Sequence, residues 1–154
     1  MPPDSTLGVD PGKTGAVAFL GPDGAVVADM PYLGDEVDVR ALDGLLDGWG
    51  VPPGCTVALE YQAPFSAPGR RMGVTSAFDL GEGYGMLKGF CMTARLRLLL
   101  PRPAAWKKEF KLQRDKEESR LLAARLFPEV DLHLKKHHGR AEALLLAEWA
   151  RRQP

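Results

Sequence analysis

The stretch LGVDPGKTGAVAF, residues 7–19, sets an aspartate at the end of an apolar run and follows it at once with Pro11, Gly12 and Lys13. A carboxylate that closes a buried strand is costly unless a cation or a set of hydrogen-bond donors meets it. Asp10 therefore restricts the fold more than any other residue. The chain must end a buried strand in a tight turn and bring to that turn something that tolerates negative charge.

Around Asp10 the pattern is a β-meander. Residues 7–9 and 14–20 read as strands, the turn Gly21-Pro22-Asp23-Gly24 ends the second, and 25–30 alternates as a third, antiparallel strand. Val39, Leu42, Leu45, Leu46 and Trp49 recur at helical spacing until Gly50 and Pro52 stop the run. Residues 56–61 form a fourth, mostly apolar strand with Glu60 at its end. A basic, Gly/Pro-rich loop over 63–73 leads to a long helix over 75–94 and a fifth strand over 95–100. A short proline-initiated helix over 104–110 follows, then helices over 116–127 and 139–152. No repeat, low-complexity tract or linker interrupts the series, and 154 residues suit one domain spanning 1–154. The order βββαβαβα with additional helices is that of the ribonuclease H-like fold, an α/β architecture with a five-stranded mixed sheet flanked by helices.

In such a sheet the first and fourth strands are neighbours, so Asp10 and Glu60 project toward one cleft. Two close carboxylates repel strongly unless a divalent cation lies between them. The last helix provides a third acid. In HHGRAEALLLAEW, Leu145, Leu146 and Trp149 mark the buried stripe, and Glu142 lies three and four positions before the two leucines, on or beside the sheet-facing side. His138, four residues before Glu142, falls about 40° from it around a helix. Both reach the same ion if the helix already runs at His138, whereas His137 points elsewhere.

Charge is divided along the chain. Lys+Arg and Asp+Glu each number 20. Residues 1–66 carry ten acidic against two basic side chains, and residues 67–154 carry ten against eighteen. Arg70, Arg71, Lys88, Arg95, Arg97, Arg102, Lys107, Lys108, Lys111, Arg114 and Lys116 give the second part a density suited to a polyanion such as DNA, or alternatively a set of solvated helix faces. No apolar run approaches 18 residues and residues 1–6 lack the regions of a signal peptide, so a cytoplasmic location and no membrane partner are expected. Cys55 and Cys91 form no C-x-x-C pair and read as small core residues.

Nearly the whole chain, from GVDPGKTGAVA through ALEYQAPF, LGEGYGMLKGF and PAAWKK to GRAEALLLAEW, resembles the RuvC-type Holliday-junction resolvases, in particular their small phage-like members. The resemblance implies a homodimer that cuts four-way DNA junctions, with two Mg²⁺ or Mn²⁺ ions per active site in an acidic cluster. By matching motifs, the metal ligands would be Asp10, Glu60 and Glu142, with His138 as the fourth. It also implies basic residues near the scissile phosphate, for which Lys107 or Lys108 and Lys116 match, and an aromatic wedge, for which Tyr61 and Phe65 are the candidates. Arg70, Arg71 and Lys88 join the expected DNA surface. Gly81, Gly83, Gly85 and Gly89 each cost a helix about 1 kcal/mol relative to alanine. That cost suits a close backbone approach, either to a second subunit with Met86, Leu87 and Phe90 adding apolar contact, or within the chain.

Three other functions fit parts of the pattern. The DPGKT turn also matches the D-x-G-x-T hairpin of actin-like and sugar-kinase ATPases, but that fold needs two such domains with nucleotide between them, so no nucleotide cofactor is expected. Another branched-DNA, flap or RNA nuclease would share the acidic cluster. A metal-free DNA-binding module with a degenerate site would keep only the basic surface.

Overall fold

A computed structural model describes residues 4–67, 69–113 and 115–154; residues 1–3, Pro68 and Arg114 lie outside them. Strands β1 (Thr6–Asp10), β2 (Ala16–Gly21) and β3 (Gly24–Asp29) form the antiparallel meander. A small hairpin, β4 (Tyr32–Leu33) and β5 (Glu36–Val37), precedes helix α1 (Val39–Gly48), whose N-terminus is capped by Asp38 accepting the Ala41 N–H. Strand β6 (Thr56–Leu59) then pairs parallel to β1. Where the sequence predicts only a loop, β7 (Phe65–Ala67) and β8 (Arg70–Arg71) form a second small hairpin, with Gly69 at φ 75° in its turn. Its short, polar strands carry too little periodicity to be seen in advance.

The remainder is α2 (Val74–Thr93), β9 (Arg97–Leu99), α3 (Pro103–Glu109), α4 (Lys116–Leu126), a 3-10 turn (Lys135–His137) and α5 (His138–Arg151). Strand β9 is shorter than the expected 95–100. Arg95 takes φ 58° and the Leu96 N–H bonds back to the Cys91 carbonyl, so both residues still belong to the C-terminal cap of α2. The five-stranded sheet has the order β3-β2-β1-β6-β9, with β1, β6 and β9 parallel and β2 reversed: the mixed ribonuclease H-like sheet, flanked by helices. Among the described residues no helix is long and apolar enough to cross a membrane.

Strand parity decides what each face holds. Leu7 and Val9 of β1 and Val57 and Leu59 of β6 point into one core with Leu42 and Leu46 of α1 and Leu87 and Cys91 of α2. Thr6, Gly8 and Asp10 point to the opposite face, as do Thr56, Ala58 and Glu60, toward α5 and its run Ala143 to Ala147. Gly8 is the point of closest approach. A Cβ there would lie 1.9 Å from the Ala143 carbonyl oxygen, so only glycine lets α5 rest directly on β1. At the two ends of this contact, the Thr6 hydroxyl donates to the Ala147 carbonyl (2.9 Å), and Gly139 packs against the Thr14 carbonyl, where a Cβ would meet oxygen at 2.1 Å.

Candidate metal centre

The same alternation that buries Thr6 and seats α5 on Gly8 delivers Asp10 to the α5 face at the C-terminal end of β1. Glu60 follows β6 by one residue, and its N–H bonds to the Val9 carbonyl (3.1 Å), which keeps it in register beside Asp10. Glu142 enters from above, one residue before Ala143. The three carboxylates lie within 4.8 Å of one another, with Glu60 and Glu142 buried and Asp10 partly accessible.

Among the described residues nothing neutralises this cluster fully. Burial holds the Asp10 carboxyl well above the usual carboxylate range, and the neighbouring Glu142 and Glu60 push the same way against Lys107 and Lys116. Burial also raises Glu60, with Glu142 adding to it; the Trp106 indole and Lys107 act in the opposite sense. Lys107 Nζ lies 3.4 Å from Glu142 Oε1. Among the described residues, three acids against one contacting lysine leave a net negative charge, and an all-carboxylate donor set suits a hard divalent cation such as Mg²⁺ or Mn²⁺.

Trp106 is the residue that sequence patterning missed. It is fully buried on α3, and its Nε1–H donates to Glu60 Oε2 at 2.7 Å. The signal was available: a tryptophan in a helix with lysines on either exposed side must bury its ring, and its N–H then needs an acceptor. Which acceptor it meets depends on the packing of α3 across β6, which no local pattern encodes.

His138 is the first residue of α5, half-buried and one turn before Glu142, so the helix does run at this position. It stands outside the group of acids that converge within 4.8 Å. His137 belongs to a different cluster, with Asp131 and His133. Lys116 opens α4 and is exposed, yet close enough to act on Asp10. Lys107 and Lys108 line a groove with Pro103, Lys111 and Gln113.

Around this centre the other expected contacts separate. Phe65, Arg70 and Arg71 are exposed on the β7–β8 hairpin, with Phe65 47% accessible. Tyr61 is half-buried instead, edge-on to Tyr84 and covered by the Arg102 guanidinium 4.4 Å from its ring centre. Lys88 lies over the Tyr84 ring. Lys13 of the DPGKT turn is paired with Asp35 of the β4–β5 hairpin.

The helix glycines also resolve. A Cβ at Gly81, Gly83, Gly85 or Gly89 would meet nothing within 4 Å, so packing within the described chain does not require them. Gly83 lies on the side of Leu87, whereas Gly81, Gly85 and Gly89 lie opposite it. Leu87 is buried in the core, and the apolar residues beside those three glycines are Val74, Phe78 and Met92, at 88%, 68% and 68% exposure. At 100° per residue, Val74, Phe78, Gly81, Gly85, Gly89 and Met92 fall within an arc of about 80°, opposite Leu87.

No protein-family model matches the chain, and no curated protein matches it by sequence. Solved structures do. The chain superposes on Thermus thermophilus RuvC in complex with a Holliday-junction substrate with a TM-score of 0.60 at 17% identity, covering 93% of this chain and 90% of that one. It superposes on a further structure of T. thermophilus RuvC with a TM-score of 0.61 at 20% identity over the same shares. The two proteins have the same fold.

Proposed function

We propose that this chain is a RuvC-type, metal-dependent endonuclease that resolves four-way DNA junctions by paired symmetrical nicks. The observation that carries the proposal is the convergence of Asp10, Glu60 and Glu142 within 4.8 Å, near enough to Lys107 and Lys116 for both to act on Asp10. Such a cluster is unfavourable without a cation, and it stands on the fold of a nuclease solved on a Holliday junction.

Asp10, Glu60 and Glu142, with His138 as the fourth donor, would hold the divalent ions. Bound there, two such ions supply an activated water and stabilise charge on the attacked phosphate and the leaving oxygen. The chain's own groups do the rest. Asp10, acted on by both Glu142 and Glu60, would contribute the carboxylate shared in holding the ions. Trp106 fixes the Glu60 carboxylate through its N–H, and Lys107 offsets negative charge beside Glu142 where a phosphate arrives. Lys108, Lys111 and Lys116 extend the cationic rim, and Arg70, Arg71 and Lys88 add phosphate contacts farther out. Phe65, exposed on its hairpin opposite Arg71, is better placed than Tyr61 to insert at the branch, because Tyr61 is already engaged by Tyr84 and Arg102 within the chain.

Paired nicks need two centres. The exposed stripe Val74, Phe78, Gly81, Gly85, Gly89 and Met92 supports a homodimer, since it combines apolar side chains with backbone that a second α2 can approach closely. The test is cleavage of labelled four-way junction, duplex, flap and single-stranded DNA with Mg²⁺ or Mn²⁺. Symmetrical nicks confined to the junction are expected. Equal cutting of a flap would identify another branched-DNA nuclease, and binding without cleavage under any divalent ion a metal-free module.

A further inference from the structure

Outside the carboxylate centre, a second group of metal-ligating side chains gathers where the chain enters α5. Asp131, His133 and His137 each place one donor atom within 4.8 Å of the other two. We propose that these three residues form a site for a borderline transition-metal ion of the zinc class, separate from the nuclease centre. Two imidazoles and one carboxylate are a donor set that favours such ions over Mg²⁺, and three protein ligands with water completing the shell is a common zinc arrangement.

The geometry is partly organised already. His133 Nδ1 and Asp131 Oδ1 are hydrogen-bonded, so two donors are held together. The His133 and His137 rings stand nearly perpendicular, 84° apart in plane with centres separated by 5.6 Å, which leaves them unstacked. His137 is buried and its Nδ1 accepts the Leu134 N–H at a long 3.3 Å, a weak bond that the ring's one free lone pair would give up to a metal ion. Donors around a tetrahedral zinc lie about 3.3 Å apart, so the widest pair needs to close by at most about 1.5 Å while the hydrogen-bonded Asp131 and His133 atoms move apart. Asp131 and His133 are exposed and can make that movement while His137 stays in place.

Lys136 and Arg140 oppose the ion electrostatically, although Arg140 is largely engaged in a two-pronged pair with Asp29 at 2.7 and 3.1 Å. An ion that takes the two atoms Asp131 and His133 now share breaks the hydrogen bond between them, and the neutral imidazole then carries its one proton on Nε2. The bound ion would tie Asp131 to His137 and so brace the start of the helix that carries Glu142.

The test uses Zn²⁺ with the full chain, in wild type and in His133→Ala, Asp131→Asn and Asp10→Asn. Nitrogen-15 spectra of the imidazoles should show Zn²⁺, but not Mg²⁺, shifting ring signals of both His133 and His137. In the Asp10→Asn background, which disables the carboxylate centre, Zn²⁺ should raise the thermal midpoint, and adding His133→Ala, an exposed position whose change leaves the core intact, should abolish that rise. Zinc shifts confined to His138, or the same zinc response in Asp10→Asn with and without His133→Ala, would overturn the site. None of these readouts depends on nuclease activity, so failure here and failure of the resolvase reading are distinguishable.

Discussion

Gly8→Ala tests the packing on which the metal centre depends. The added methyl carbon would lie 1.9 Å from the Ala143 carbonyl oxygen and 2.4 Å from the Ala147 nitrogen. Non-bonded heavy atoms settle near 3.5 Å, so α5 must retreat by about 1.5 Å or the sheet must bend. Overpacking of this kind costs about 1–3 kcal/mol, and weakening the Thr6 to Ala147 hydrogen bond adds about 1 kcal/mol. For a chain of this size, a total of about 2–4 kcal/mol lowers the thermal midpoint by roughly 5–15 °C. Glu142 precedes Ala143 by one residue and moves with it, and a displacement of about 1 Å at a reacting centre can cost on the order of 100-fold in rate. Thermal unfolding, with junction cleavage measured well below both midpoints, reads the two effects separately. Because the clash is with backbone, a compensating Ala143→Gly change should not rescue either one. A wild-type midpoint together with wild-type cleavage would mean that α5 does not rest on β1 at Gly8.

Three further outcomes follow from the same structure. Because burial and the neighbouring acids raise Asp10 above its unfolded value, its protonated form is favoured in the metal-free fold. The stability this contributes is present below about pH 4 and is lost as pH rises through the elevated value. Metal-free Asp10→Asn should therefore unfold at a higher temperature than wild type at pH 7 and converge with it near pH 4; equal midpoints at pH 7 would remove the charge conflict. Trp106→Phe removes the donor to Glu60, so divalent-ion affinity should fall about 10- to 100-fold by calorimetry while the apolar packing is largely kept; unchanged affinity would make Trp106 a packing residue only. Gly85→Leu, in open space within the chain, should leave the fold intact but shift sedimentation from dimer to monomer, and a persistent dimer would move the interface away from α2.

Much of the centre was legible because strand parity and helix spacing are local. The alternation of Thr6, Gly8 and Asp10, the placement of Glu60 at the end of an apolar strand, and the three- and four-residue offsets from Glu142 to Leu145 and Leu146 assign all three acids to one side of the sheet before any contact is known. What stayed hidden depends on tertiary approach. Gly8 reads as an ordinary strand glycine until α5 lies across it, and Trp106 reads as core until its N–H meets Glu60. The helix glycines show the opposite limit. Their spacing suggested close approach, but whether inward or outward depended on which face Tyr84, Leu87 and Cys91 claimed for the core. The β7–β8 hairpin, with its polar two- and three-residue strands, left no periodic trace.

The central claim is that the buried acids form a cleavage centre and the basic surface a separate binding one. Its most direct test is a single comparison of wild type and Asp10→Asn on one labelled four-way junction in Mg²⁺ or Mn²⁺, with binding and nicking read from the same samples. Asp10→Asn should bind the junction as wild type does and produce no nicks, because it removes the shared ligand while leaving Lys107, Lys108 and Lys116 in place. Nicking by Asp10→Asn at a rate near that of wild type would contradict the account.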